Sequence, residues 1–424
     1  MNGTFKNLAL TATLLSISAS AYAFLDTRSV VKTINDTTAK AEDRCSAIAT
    51  VLPQSSEQVA RNLAALINDP DPSVQSCAIR AAGENKNEFA ADALLANVDQ
   101  YQAETRGRGP YEVNLKARIK AIDSIWSIGE IGSPAVTGKL LKYYEESDTI
   151  VRINIAISAG KTKAEFTKKF LYTLAGNTQE NSVVRAAAYE MLEQNKAPAP
   201  APGVSLTEGM EKGDLIYTGG IFGIPQDWIG DMPVGHAGLY GGTEVRDGKL
   251  VVVIYDCVPD NFEPYGGVRK IFSFYNFTHH NTYAFYGNRV TKVRPTAEQR
   301  DQIIQAAIAK LGHHYSDTHF SQKGPEDFDC VGYTEYAYEA AGLNPTPDDQ
   351  ETGWGWPLTP AEQYAATVAN TKFAPPLVLA GNDSPKAPSQ EIMTRNVDAL
   401  MSSYGQKAPA QLPEAATPQL AIVD

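Results

Sequence analysis

The first half of the chain is dominated by apolar residues at helical spacing. Between residues 55 and about 195, they recur at i, i+3, i+4 and i+7 in segments such as VARNLAALI, ARIKAIDSIWSI and VVRAAAYEMLEQ. A helix with one apolar face is stable in water only when that face is buried. We therefore predict that this half is entirely helical and that its helices pack on one another.

The helices of this region begin in a recurring way. DPDPSVQ, ESDTIVR and QENSVVR each place acidic or small capping residues before a valine, and Val151 and Val184 lie about one repeat unit apart. The pattern resembles HEAT-like repeats, which implies an α-solenoid over residues 24–194 with an extended surface for a protein partner. Cys45 and Cys77 lie in or beside these helices, and a disulfide between them would connect the N-terminal helix to the array.

The composition changes sharply after the helical region. NKAPAPAPGVS marks residues 195–206 as a Pro/Ala linker. In residues 207–375, runs such as GDLIYTGG and KLVVVIYDC predict strands, and TAEQRDQIIQAAIAKLG predicts a later helix, which favours an α+β domain. Residues 376–424 are rich in Pro, Ala and Ser and are predicted to be mostly disordered.

Residues 1–23 have the layout of a cleavable signal peptide. Lys6 precedes a short apolar core from Leu8 to Ile17, and Ala21-Tyr22-Ala23 fits the cleavage pattern. We expect a periplasmic or secreted protein without a transmembrane span, because no later stretch approaches the roughly 18 consecutive apolar residues that one requires. The net charge of −12 argues against nucleic acid and anionic membranes as partners.

All six histidines fall between His236 and His319, within the second domain. The segment GHHYSDTH offers His313, His314, His319 and Asp317 as candidate metal ligands. Adjacent histidines cannot easily share one ion, and the spacings HExxH and CxxC are absent. We therefore predict no metal and no cofactor.

Cys330 is predicted to lie in the first turn of a helix, in PEDFDCVGYTEYAYEAAGL. The helix dipole and a nearby imidazolium would favour its thiolate, while the acidic residues before it oppose that effect. Gly332 permits close approach of the backbone. These residue types predict acyl transfer, in which Cys330 attacks an amide or ester carbonyl and His236 passes the proton.

The segments around both residues resemble a known family. LGHHYSDTHF and FDCVGYTEYAYEAAGLNPTP are similar to the nucleophile segment of NlpC-type papain-like cell-wall peptidases, and GDLIYTGG and GHAGLYGG to the histidine strand of that superfamily. The histidine comes first here, which resembles the circularly permuted YaeF/YiiX branch and the lecithin:retinol acyltransferase group. The resemblance covers about residues 207–350. It implies a permuted papain-like fold in which Cys330 and His236 are catalytic.

The resemblance also implies substrate-binding residues. Asp329 and Tyr315 would line the pocket, with Asp329 holding a free amine of a peptide substrate. A helix cap for Asp329 and a core aromatic for Tyr315 are the structural alternatives.

Two residues compete for the third catalytic position. In the permuted branch a carboxylate follows Val-Ile, but here Tyr255 takes that place and Asp256 comes one residue later. Because strand neighbours point to opposite faces, Asp256 faces the site only if a β-bulge shifts the register. If Tyr255 faces the site, Cys257 does too, and a Cys257–Cys330 disulfide would inactivate the nucleophile. We assign Asp256 to catalysis and Tyr255 to substrate binding.

The expected function is that of an exported cysteine hydrolase that cleaves an amide bond in peptidoglycan peptides. Two alternatives stay open: an amidase or acyltransferase acting on lipid or acyl-amine substrates, and an inactive protein that binds a partner through its helical repeats. A toxin delivered to rival cells would have the same sequence features as an enzyme of wall remodelling.

Overall fold

The fold combines helices with an antiparallel sheet, as the sequence predicts at that coarse level. The computed structural model describes residues 27–53, 55–105, 115–219, 233–262, 265–316, 323–347 and 358–370. These residues all belong to one compact unit. The predicted signal peptide and tail, and the candidate ligands Asp317 and His319, lie outside the described residues.

Up to Gln194, helices are the only regular elements in the described part of the chain. The α-helices of this region are α1 (Thr27–Asn35), α2 (Ala41–Ala49), α3 (Glu57–Ala65), α4 (Pro72–Glu84), α5 (Ala91–Thr105), α6 (Leu115–Ile131), α7 (Pro134–Leu141), α8 (Thr149–Thr162), α9 (Glu165–Gly176) and α10 (Ser182–Gln194).

The predicted capping residues begin three of these helices. Asp71, Asp148 and Asn181 are the N-caps of α4, α8 and α10, and each side chain accepts hydrogen bonds from N–H groups of the first turn. Those N–H groups have no partner within the helix, so each cap fixes where its helix starts.

Helices α4, α6, α8 and α10 pack against one another in that order. Their contacts are close because small residues lie at the crossings. A Cβ added at Gly83 of α4 would lie 2.8 Å from the Cα of Ser127 in α6. These four helices form an inner row, while α5, α7 and α9 pack on it from one side.

The N-terminal helices are covalently joined to this row. Cys45 of α2 and Cys77 of α4 form a disulfide, with their Cα atoms 5.6 Å apart. The predicted connection between the N-terminal helix and the array is confirmed. Cys257 and Cys330 are free and buried, so the alternative bridge between them is absent.

The stretch after α10 runs along the helices without forming one. Tyr189 donates a hydrogen bond from its hydroxyl to the Pro200 carbonyl at 3.1 Å, and the Arg185 guanidinium donates to the Gly203 carbonyl at 3.3 Å. Residues 195–206 are thus packed against α10. The division of the chain into domains stays a prediction.

A six-stranded antiparallel sheet follows, in the order β4-β3-β2-β1-β5-β8. β6 and β7 form a separate short parallel pair. The strands are β1 (Leu215–Gly219), β2 (Val234–Arg246), β3 (Lys249–Val258), β4 (Gly267–Ile271), β5 (Phe285–Val290), β6 (His314–Tyr315), β7 (Asp327–Phe328) and β8 (Val368–Ala369). The helices of this part are α11 (Phe274–Phe277), α12 (Ala297–Ala309), α13 (Cys330–Glu339) and α14 (Pro360–Ala366).

Helices cover both faces of this sheet. On one face, the Tyr217 hydroxyl of β1 donates to Gln363 of α14 at 3.0 Å. On the other face, Tyr240 of β2 lies beside Ser182 of α10, and α10 packs along β3. The inner row of helices therefore packs through α10 on this second face of the sheet. Among the described residues, no helix is both long and apolar enough to cross a membrane.

Candidate active site

His236 and Asp256 meet on one face of the sheet. Asp256 of β3 pairs with Gly238 of β2, two residues after His236, so the two side chains share a face. His236 Nε2 lies 3.1 Å from Asp256 Oδ2, and both side chains are fully buried. The register of this strand pair shifts between Tyr240 and Gly242. A β-bulge is thus present, as the choice of Asp256 required.

Arg269 completes this arrangement. It pairs with Asp256 across β3 and β4, and its Nε and Nη2 donate to the two carboxylate oxygens at 2.7 and 3.0 Å. Burial raises the pKa of Asp256, but the charge of Arg269 and the hydrogen bonds from His236 and Arg269 outweigh it and hold that pKa well below its ordinary value. The carboxylate is therefore ionised across the working pH range.

The ionised carboxylate fixes the tautomer of His236. A carboxylate only accepts hydrogen bonds, so Nε2 of His236 carries the proton and donates it to Asp256. In the neutral ring, Nδ1 then carries the lone pair. It is buried and has no hydrogen-bond partner among the described residues. Nδ1 is therefore the ring nitrogen that is available to accept a proton.

Cys330 lies beside the backbone of β2 at the residue that follows His236. The pairing of β2 with β3 ends at Gly238, and the backbone N–H of Ala237, which precedes it, points at the Cys330 sulfur. Cys330 is the first residue of α13, and its thiol is 5% exposed. The structure therefore places the thiol beside the residue that follows His236.

The thiol is protonated in this environment. Burial and the charge of Asp329 raise the pKa of Cys330 far above its ordinary value, although the N–H groups of Ala237 and Val331 act in the opposite direction. The position at a helix N-terminus does not by itself give a thiolate here, because desolvation penalises the charged form more strongly.

Tyr255 and Cys257 lie on the opposite face of β3 from Asp256. Tyr255 is 4% exposed and packs against Gly241, within the sheet, away from His236. The Cys257 thiol donates to the Phe328 carbonyl at 3.1 Å. Burial and then the neighbouring Cys330 raise the pKa of Cys257, which keeps it a neutral thiol.

Asp329 and Tyr315 are brought close to Cys330 along the backbone. Asp329 is the N-cap of α13 and accepts the N–H of Gly332 at 2.7 Å, which is the capping role weighed as the alternative. Tyr315 is half-buried and pairs with Phe328, directly before Asp329. Its backbone N–H donates to Asp260.

The histidine pair of GHHYSDTH is divided between different partners. His313 Nδ1 lies 2.6 Å from the Glu326 carbonyl, and His314 Nδ1 lies 3.0 Å from Asp260 Oδ2. Within the described ranges, no group of three or more His, Cys, Asp or Glu side chains is arranged to hold a metal ion.

Two residues of this site escape the sequence analysis. One is Arg269; strand alternation in GVRKI places it on the same face as the buried Ile271, which was the available signal. The other is His279, whose ring centroid lies 5.1 Å from that of His236. The available signal in the sequence was the adjacent histidine pair in FTHHN.

Comparison with known proteins assigns no family to the chain, because no family model, curated protein or solved structure matches it.

Proposed function

We propose that this protein is a cysteine hydrolase that cleaves an amide bond, with Cys330 as nucleophile, His236 as base and Asp256 as the group that orients the base. The proposal rests on the buried series Arg269–Asp256–His236, together with the free Cys330 thiol beside the next residue of β2. The fold we propose for the second half is the permuted papain-like one, and for the first half an α-solenoid.

The chemistry follows from the protonation states. Because the Cys330 thiol is neutral, its proton moves to Nδ1 of His236 as the sulfur attacks the carbonyl carbon. The carboxylate of Asp256 stabilises the imidazolium that forms. The amine leaves with the proton from His236, and a thioester on Cys330 remains. Water then attacks the thioester, its proton passes to His236, and the acid is released with the thiol restored.

The oxyanion of each tetrahedral intermediate requires hydrogen-bond donors. The N–H groups of Ala237 and Val331 point towards the sulfur, so an oxygen on the attacked carbon lies within their reach in this proposal. These donors belong to the backbone of β2 and of the first turn of α13, which are rigid elements.

The substrate class we propose is a peptide of cell-wall peptidoglycan, in the periplasm or outside the cell. The export signal of residues 1–23 and the resemblance to cell-wall peptidases support this choice. An amidase or acyltransferase acting on acyl-amine lipids uses the same thioester, with an alcohol or amine replacing water in the second step. A protein partner would bind the helical repeats.

The test is turnover of purified peptidoglycan fragments by the full chain, followed by mass spectrometry of the released amines. We expect Cys330→Ala to lower the rate by about a thousandfold or more, since the nucleophile is lost. Cys257→Ala is the matched control, because it removes the other buried free thiol. Unchanged turnover in Cys330→Ala would refute the proposal.

A second candidate is a binding protein without catalysis. The observation that favours it is the burial of Cys330, whose thiol is 5% exposed and neutral. If this candidate is correct, wild type and Cys330→Ala bind peptidoglycan fragments equally, and neither releases product.

A further inference from the structure

His279 is a buried imidazole whose two ring nitrogens both lack a hydrogen-bond partner among the described residues. Its side chain packs edge-on against Phe262 and next to His236, and the residue is 5% exposed. A neutral imidazole always presents one donor and one acceptor. Leaving a buried polar group unpaired costs about 1–3 kcal/mol. An apolar side chain would fill the same space at a lower cost.

The backbone at this position is also unfavourable. His279, His280 and Asn281 have φ values of +52°, +61° and +59°, a left-handed conformation that is uncommon outside glycine, although His and Asn adopt it more readily than most residues. Each such residue costs on the order of 1–3 kcal/mol. Unfavourable backbone of this kind persists where surrounding contacts hold it in place, and it concentrates at functional sites.

The inner row of helices provides those contacts. Trp126 of α6 and Lys161 of α8 both donate to the Asn281 carbonyl, at 3.0 and 2.9 Å. At the other end of the segment, the Glu190 carboxyl of α10 accepts the backbone N–H of Phe274, the first residue of α11, at 2.8 Å. Three helices thus hold residues 274–281 against His236.

His279 is neutral at any working pH. Burial and then the neighbouring His236 lower its pKa to about 2. The ring is therefore a weak base, and its hydrogen-bonding capacity is the property that the geometry leaves unused. The neutral ring can still form hydrogen bonds, with one N–H donor and one nitrogen acceptor, and its centroid lies 5.1 Å from that of His236. An amide group, which has both an N–H and a carbonyl, is complementary to such a ring.

We propose that His279 is a substrate-binding residue of this site, where it hydrogen-bonds an amide group that flanks the scissile bond. The inference rests on the proposed hydrolase function and deepens it, since it names a specificity determinant. It predicts that peptides with an amide next to the cleaved one are preferred over substrates with the cleaved amide alone.

The test uses His279→Phe, which keeps an aromatic ring and removes both hydrogen-bonding atoms. The control is His280→Phe, which changes the exposed neighbour with the same left-handed backbone. On a peptide anilide with a flanking amide, we expect His279→Phe to raise KM about tenfold with little change in kcat, which is the effect of one or two lost hydrogen bonds. We expect His279→Asn, which keeps a donor and an acceptor, to recover part of this loss.

The second substrate is a simple acyl anilide, whose single amide is the scissile one. It distinguishes the loss of a hydrogen bond to the flanking amide from a general structural effect of the substitution. We expect His279→Phe to lose less of its kcat/KM on this substrate than on the peptide anilide, because the flanking amide is absent. Equal losses on both substrates would overturn the inference, because they would indicate a structural role.

A failure of the proposed hydrolase function can be distinguished from a failure of the inference about His279. If wild type cleaves neither anilide, binding of N-acetyl-dialanine amide to the Cys330→Ala protein decides the matter through the imidazole ¹⁵N signals. A shift of the His279 signals on binding supports the inference, and unchanged signals overturn it.

Discussion

Asp256→Asn isolates the role of the buried charge at this site. The substitution keeps the shape of the side chain but removes its charge, and it leaves the guanidinium of Arg269 without a counter-ion. Both side chains of the pair are 0% exposed, so water cannot replace the lost partner. Removing one partner of a buried ion pair costs about 3–5 kcal/mol of unfolding free energy.

The measurement is urea unfolding of the full chain followed by tryptophan fluorescence. Asp256→Asn should lower the midpoint strongly, and Arg269→Met introduced into that variant should restore much of the loss, because no unpaired charge then remains. Asp92→Asn is the matched control, since Asp92 pairs with Lys139 on the surface. The side chain of Asp92 is 88% exposed and that of Lys139 is 58% exposed. We expect that control to change the stability by less than about 1 kcal/mol.

The pH dependence of this difference has a definite sign. The folded-state pKa of Asp256 lies below the unfolded value of 3.8. The stability that the carboxylate contributes is therefore fully present above that pH and is lost as the pH falls towards the folded pKa. The gap between wild type and Asp256→Asn should shrink below pH 3.8. A loss under about 1 kcal/mol at neutral pH, or one that Arg269→Met leaves unaltered, would refute the charge argument.

Three further predictions concern other parts of the molecule. Replacing Cys45 and Cys77 by serine should cost about 3–4 kcal/mol in a urea titration, from the loop entropy of a bridge between residues 32 apart in sequence; unchanged stability would contradict this. Burial raises the pKa of Glu190 from 4.5 to about 7, so stability should fall as the pH rises through that window, and Glu190→Gln should flatten the profile; an unaltered profile would count against it. Alkylation of Cys330 by iodoacetamide should accelerate only above about pH 8.5, because burial and Asp329 raise its pKa; a rate that levels off below neutral pH would instead indicate a preformed thiolate–imidazolium pair.

Features encoded locally could be predicted from the sequence. The caps Asp71, Asp148 and Asn181 act on N–H groups two or three residues away, so a short window contains the whole interaction. The start of α13 at Cys330 follows from the same kind of signal, since Asp329 caps it. The disulfide between α2 and α4 could be proposed from the even cysteine count and from the export signal, which itself stays a prediction.

Features that depend on strand register could not be decided from the sequence. Whether Asp256 or Tyr255 faces His236 depends on one extra residue near Gly241, which nothing in the sequence distinguishes from its neighbours. Arg269 reaches Asp256 across a strand pair, and the position of His279 depends on contacts with helices more than 80 residues earlier, such as that of Glu190 with α11. Such contacts have no local signature.

The segment that carries His279 is anchored from three helices, and this has a consequence for dissecting the protein. Trp126, Lys161 and Glu190 all precede residue 195, whereas the segment they hold lies within residues 274–281. A fragment that starts at residue 207 would lack every one of these anchors and would expose the sheet face that α10 covers. If such a fragment were inactive, the cause would therefore be the loss of packing around His236 and His279. It would not show that the helices are needed to bind a partner. Conversely, a molecule that binds between α6, α8 and α10 and separates them would displace residues 274–281. It would thereby change the positions of the histidines without contacting them.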